Sequence, residues 1–172
     1  VNLYFIQNQL YFLIMINHTY TALITPFKDN KIDEKSLINL IEYQIDGGVD
    51  GIVACGTTGE SPTLSHEEHK TMIKLCVEIA NKRIKVMAGT GSNSTYEAVM
   101  MTNYAKKVGA DSCLIVAPYY NKPSASGIYS HFKEINKIDL PIILYNIPGR
   151  SVINITDNEI AEIAKLSNVI GV

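Results

Sequence analysis

The chain has 172 residues, of which 47% are hydrophobic and 19% charged, and a formal net charge of −2. Those proportions suit one soluble globular domain with a hydrophobic core. They give no sign of a nucleic-acid binder, because no basic run is longer than Asn81-Lys82-Arg83, which reads as the polar end of a helix.

The chain opens on an uncharged stretch, Val1–Ile16, rich in Tyr, Phe, Leu and Ile. It lacks the basic n-region and small-residue cleavage site of a signal peptide, and the apolar run Tyr11–Ile16 is too short to span a membrane. Met15 begins the part that makes structural sense. Residues 1–14 are therefore expected to be a non-native or disordered extension, and residues 15–172 the domain. Cys55, Cys76 and Cys113 form no CxxC pair, and their odd number argues against a disulfide framework. They read as small buried apolar residues of a protein kept in a reducing, cytoplasmic compartment.

Short apolar, β-favouring runs follow at Thr21–Ile24, Gly51–Ala54, Lys85–Ala88, Cys113–Ala117, Ile142–Tyr145 and Val169–Val172, with helical periodicity between them. The first helix starts after Asp33, carries Leu37, Ile41 and Ile45 on one face, and ends at Gly47-Gly48. Three later helices open with the capping-box pattern, at Ser65/Glu68, Ser94/Glu97 and Thr156/Glu159. Another carries Ile128, Phe132 and Ile135. Such alternation predicts an α/β fold with a parallel sheet covered by helices. A repeat of roughly thirty residues matches the about 250 residues of a (β/α)8 TIM barrel. The rival, a doubly wound open sheet, has a Gly-rich phosphate turn after its first strand, where this chain has Thr25-Pro26-Phe27. Five βα units and the start of a sixth strand are present, so the barrel is expected to be incomplete, with open edges and poor solubility.

Barrel chemistry sits at the carboxyl ends of the strands. After the second strand comes Gly56-Thr57-Thr58-Gly59-Glu60-Ser61, a Gly-flanked turn with two hydroxyls. It suits either a nest for a small carboxylate or an ordinary loop. Gly89-Thr90-Gly91-Ser92-Asn93-Ser94 reads as tight-turn glycines, since the third Gly of a dinucleotide turn is missing. Pro118-Tyr119-Tyr120-Asn121-Lys122-Pro123 and Tyr145-Asn146-Ile147-Pro148-Gly149-Arg150 bring tyrosines that could relay protons and an arginine that could grip a carboxylate. Taken singly, each of these residues reads better as rim packing for the tyrosines and a solvated loop charge for Arg150. His66-Glu67-Glu68-His69 lacks the zinc-protease order and reads as a polar helix face, and no metal site is expected.

Taken in order, Thr25-Pro26-Phe27, Gly56–Ser61, Ala88–Gly91, Pro118–Pro123 and Leu144-Tyr145-Asn146-Ile147-Pro148-x-Arg150 resemble the dihydrodipicolinate (4-hydroxy-tetrahydrodipicolinate) synthase family from Met15 to Val172. The resemblance implies condensation of pyruvate with aspartate semialdehyde on the way to diaminopimelate and lysine, through a lysine Schiff base and with no cofactor. It implies a proton relay of Thr57, Tyr145 and Tyr120, the last lent by a neighbouring subunit of a homotetramer built as a dimer of dimers. Thr58 would hold the pyruvate carboxylate and Arg150 that of the semialdehyde. A feedback site for L-lysine would draw on Ser61, His66, His69, Asn93, Glu97 and Tyr119, although Glu97 also occupies a capping-box position.

One departure matters. In the family the Schiff-base lysine follows a sixth strand like Ile170-Gly171-Val172, and here the chain stops at that point, so the isolated chain is expected to be inactive. Alternatives are an N-acetylneuraminate-lyase type of pyruvate aldolase, or a non-catalytic relic keeping lysine-binding or subunit contacts. Arg150 and the Tyr119-Tyr120 pair favour the synthase.

Overall fold

The computed structural model describes residues 18–172, so the extension expected at 1–14 lies outside the described residues. Among the described residues eight strands are present: β1 (Tyr20–Ala22), β2 (Phe27–Lys28), β3 (Lys31–Ile32), β4 (Gly51–Ala54), β5 (Lys85–Gly89), β6 (Ser112–Val116), β7 (Ile142–Tyr145) and β8 (Val169–Gly171). The α-helices are α1 (Glu34–Asp46), α2 (His66–Ala80), α3 (Thr95–Val108), α4 (Ala125–Ile135), α5 (Pro148–Ser151) and α6 (Asp157–Ile163).

Six strands form one parallel sheet in the order β1-β4-β5-β6-β7-β8. Leaving aside the small β2–β3 hairpin, that order follows the sequence without reversal, as in a barrel and unlike a doubly wound sheet. The longer helices pack in succession, α1 on α2, α2 on α3, α3 on α4 and α4 on α6, which makes an outer ring over the sheet. Between the layers lies an apolar core that includes Leu37, Ile41, Ile52, Met72, Ile115, Phe132, Ile142 and Leu144, all nearly inaccessible to water. Cys55, Cys76 and Cys113 are free and buried in it.

Local chemistry sets the element ends. Asp33 caps α1 through Ser36 N–H. Ser65/Glu68 and Thr156/Glu159 both close complete capping boxes on α2 and α6. The hairpin is absent from the sequence expectation; its turn residues Asp29 and Asn30 both take left-handed φ, 52° and 59°, which a two-residue hairpin needs. Buried His131 on α4 lies 2.9 Å from Thr95 Oγ1 through Nδ1 and so ties α4 to the first turn of α3. No helix of the described residues is long and apolar enough to cross a membrane.

Burial pushes the His131 pKa down from 6.5 to about 4. The unfolded chain therefore takes up this proton near pH 6.5 and the folded one only near pH 4, so stability is lost as pH falls through that window. In a protein with the complete barrel, acidification from pH 7 to 4 is expected to cost roughly 3 kcal/mol through this residue. The His131→Asn variant should show a correspondingly shallower acid dependence in urea titrations. An unchanged slope would contradict it.

Among the described residues strands β1 and β8 pair on one side only, leaving two sheet edges open. Exposed edges template association with other chains. Residues 15–172 expressed alone are expected to elute as aggregates in size-exclusion chromatography and to melt broadly. A monodisperse monomer with a sharp transition is the contrary result.

Candidate active site

Parallel pairing of β4 to β7 brings their carboxyl ends to one rim. Just past β4, Cys55 is buried and adopts a left-handed backbone, φ 55°. Its carbonyl turns onto Gly89, the last residue of β5, so closely that a Cβ there would overlap Cys55 O. Only glycine fits that approach. The chain then runs through two linked turns, with Gly59 N–H donating to Gly56 O at 3.1 Å and Glu60 N–H to Thr57 O at 3.1 Å. The buried Thr25 hydroxyl donates to Gly59 O at 2.6 Å and anchors this loop to the one after β1. Among the described residues, the N–H groups of Thr57 and Thr58 find no acceptor, as an anion nest requires.

A cavity of about 330 Å³ opens at this rim. Thr57 after β4, Tyr145 at the end of β7 and Arg150 on α5 line it, together with Ser61, His66, His69, Glu97 and Tyr119. Three sequence-predicted site residues do not line it: Thr58, Asn93 and Tyr120. Tyr120 sits in a left-handed conformation, φ 69°, and is 86% exposed, its ring standing away from its own chain. Asn93 is tied down through its carbonyl, which accepts from Asn121 Nδ2 at 2.7 Å.

The cavity's charged groups differ from their sequence reading in two ways. Glu97 was expected to close a capping box, yet only half of it forms: Ser94 Oγ accepts from Glu97 N–H, while the Glu97 carboxylate accepts from Ser92 Oγ at 2.7 Å instead. That leaves Glu97 facing His66, 3.8 Å away. His69 is no part of a polar helix face. It is buried, and its Nε2 lies 2.7 Å from Gly89 O, an acceptor, so Nε2 carries the hydrogen. Burial lowers its pKa, so the ring is neutral at pH 7 and Nδ1 is left as an acceptor. Arg150 belongs to none of the ion pairs among the described residues, so its guanidinium stands at the cavity without a protein carboxylate.

Other cavity residues were not singled out from sequence. Ser92 was passed over within a run read as tight-turn glycines; its position five residues before Glu97 was the available signal. Ser151 is buried in the wall and donates within its own turn. Among the described residues no group of three or more His, Cys, Asp or Glu is placed to hold a metal ion.

Alanine at position 89 would press on Cys55 O and displace the turn bearing Thr57. In a complete barrel Gly89→Ala is expected to destabilise by about 1–3 kcal/mol or more, read from the denaturant midpoint. Wild-type stability in the variant would contradict this close approach.

The dihydrodipicolinate synthetase family matches residues 15–172. The chain is 55% identical over 159 residues to the 4-hydroxy-tetrahydrodipicolinate synthase of Parvibaculum lavamentivorans, covering 92% of this chain and 55% of that protein. It superposes with TM-score 0.88 and 47% identity on the chloride-inhibited dihydrodipicolinate synthase of Acinetobacter baumannii complexed with pyruvate, covering 91% of this chain and 55% of that one. The lysine-bound enzyme of Cyanidioschyzon merolae gives TM-score 0.84 and 40% identity, over 87% of this chain and 52% of that one. The chain thus spans about half the length of the curated relatives it matches. By its sequence and its parallel βα order, the chain belongs to the dihydrodipicolinate synthetase family.

Proposed function

We propose that residues 15–172 furnish the first five βα units and the sixth strand of a 4-hydroxy-tetrahydrodipicolinate synthase. The observation that carries this reading is that Thr57 and Tyr145, which follow β4 and end β7 with two strands between them, line one cavity with an arginine that joins no ion pair among the described residues. The catalytic amine comes from a lysine beyond Val172, in the part of the barrel that the relatives possess and this chain does not span.

In this scheme the amine adds to the ketone of pyruvate and water leaves, giving an iminium. Loss of a methyl proton makes an enamine, whose carbon bonds to the aldehyde carbon of aspartate semialdehyde. The amino group of that second substrate then displaces the lysine, closing the ring and freeing the enzyme. Each step moves a proton, and Thr57, Tyr145 and Tyr120 form the relay. The Thr57–Thr58 turn holds the pyruvate carboxylate through backbone N–H and hydroxyl groups, and Arg150 takes the semialdehyde carboxylate by paired hydrogen bonds. The exposure of Tyr120 fits a tyrosine lent to the cavity of a second copy, within a homotetramer. The scheme uses no cofactor and is placed in the cytoplasm.

The same cavity carries a second reading of regulation. Ser61, His66, His69, Glu97 and Tyr119 line it, with Asn93 next to its lining residue Ser92, and form an L-lysine feedback site. Neutral His69 and the carboxylate of Glu97, free of its capping role, suit an ammonium group.

The test uses a chimera in which residues 15–172 replace the matching part of the Parvibaculum lavamentivorans synthase. It should make 4-hydroxy-tetrahydrodipicolinate and leave N-acetylneuraminate uncleaved. Arg150→Ala is expected to raise KM for aspartate semialdehyde about 10–100-fold, the loss of a charge-assisted hydrogen-bond pair, with KM for pyruvate little changed. Cleavage of sialic acid, or a folded chimera without condensation activity, would point to the lyase or the non-catalytic reading instead.

A further inference from the structure

The turn that presents Arg150 is held by residues to which the scheme above gives no task. It opens on Asn146, directly after β7, and closes on Ile155. Asn146 Oδ1 accepts from Ile155 N–H at 3.2 Å, and its Nδ2 donates to Ile155 O at 3.1 Å and to Asn154 Oδ1 at 3.0 Å. One side chain thereby bridges the two ends of the loop as a strand partner would.

Within that clasp α5 makes a single helical turn. Arg150 and Ser151 N–H both donate to Ile147 O, at 3.0 and 2.9 Å, and Val152 N–H donates to Pro148 O at 3.0 Å. Ser151 is 1% exposed, and its hydroxyl lies 3.0 Å from both Ile147 O and Ile153 O. It has one hydrogen to give and two carbonyls, one on either side of Arg150, that accept it. The next residue reverses the chain in the left-handed region, with φ 63° and ψ 0°. That residue is Val152, β-branched, and 65% exposed, so the strained backbone gains nothing from burying its side chain. A strained joint persists only where its surroundings over-determine it, and Asn146 and Ser151 are those surroundings.

We propose that Ser151 is a positioning residue for Arg150. Its buried hydroxyl pins the strained turn closed, with Asn146 as the outer clasp, so that the guanidinium is set at the cavity before the acidic aldehyde arrives. The inference rests on the reading of Arg150 as the carboxylate grip for that substrate. It adds that the aim of this group is set by a buried side chain whose hydroxyl is engaged by the turn's own carbonyls. Deleting the Ser151 hydroxyl lets the turn relax towards ordinary dihedrals and carries the guanidinium with it.

The measurement is steady-state kinetics and thermal melting of the same chimera with Arg150→Ala, Ser151→Ala, Ser151→Thr and Val152→Gly. Ser151→Ala should raise KM for aspartate semialdehyde about tenfold while KM for pyruvate stays as it was. Ser151→Thr, which keeps the hydroxyl, should restore it. Val152→Gly relieves the left-handed strain but keeps the pin, so it should raise Tm without moving either KM. If Ser151→Ala lowers Tm or the active fraction and leaves the semialdehyde KM unchanged, Ser151 is merely structural and the proposal is overturned. It is also overturned if Val152→Gly raises that KM as Ser151→Ala does, because valine stiffness would then be the hold. Should Ser151→Ala fail to fold, Ser151→Thr and Val152→Gly still decide the matter by the same readouts. An Arg150→Ala chimera with unaltered semialdehyde KM overturns the underlying reading of the arginine instead, a result separable from the others.

Discussion

The close approach of Cys55 O to Gly89 is the contact on which the rest of the site depends. Parallel pairing sets β4 beside β5, but it does not by itself bring the loops that follow into one cavity. The left-handed turn at Cys55 does so, by sending its carbonyl against a residue with no side chain. The chain leaves that contact already turning back through Gly56, and Thr57 lands on the rim. Gly89 in turn offers its own carbonyl to His69 Nε2, which draws α2 against the end of β5 and decides the tautomer of the histidine. One glycine thereby ties two strands and one helix together.

Electrostatics around the cavity follow from which polar groups are already engaged. Glu68 and Glu159 are committed to their capping boxes, which lower their carboxyl pKa. Lys85 pairs with Asp111, away from the cavity. Glu97 is drawn off its helix end by Ser92 Oγ, and Arg150 joins no ion pair among the described residues, so a negative and a positive group line the same space. Such an arrangement suits ligands that carry a carboxylate, an amine or both.

Much of this was legible in the sequence. Short apolar runs and the period-3.6 patterns between them gave the order of elements, and strand limits moved by one or two residues, as when Thr21–Ile24 became Tyr20–Ala22. The boxes at Ser65 and Thr156 formed as their spacing implies. The one at Ser94 did not, because a serine two residues upstream competes for the same carboxylate, and spacing alone does not reveal a competitor. The burial of His69 was hidden for a like reason: its helix neighbours Glu67 and Glu68 are exposed and half-buried, respectively, and only the facing carbonyl of a distant strand explains it. The strain at Val152 was also invisible, since valine is an ordinary strand former and nothing local announces a left-handed turn there.

The central claim is that the Thr57–Thr58 turn and Tyr145 face one bound keto acid. The most direct measurement is a crystal structure of the completed barrel after borohydride reduction with pyruvate. The account predicts continuous density from a lysine just past Val172 to a reduced three-carbon adduct. The carboxylate should rest on the N–H groups of Thr57 and Thr58, with the Tyr145 hydroxyl in hydrogen-bond reach of the former ketone carbon's substituents. An adduct on a lysine elsewhere, or one whose carboxylate turns away from that pair of threonines, would contradict it.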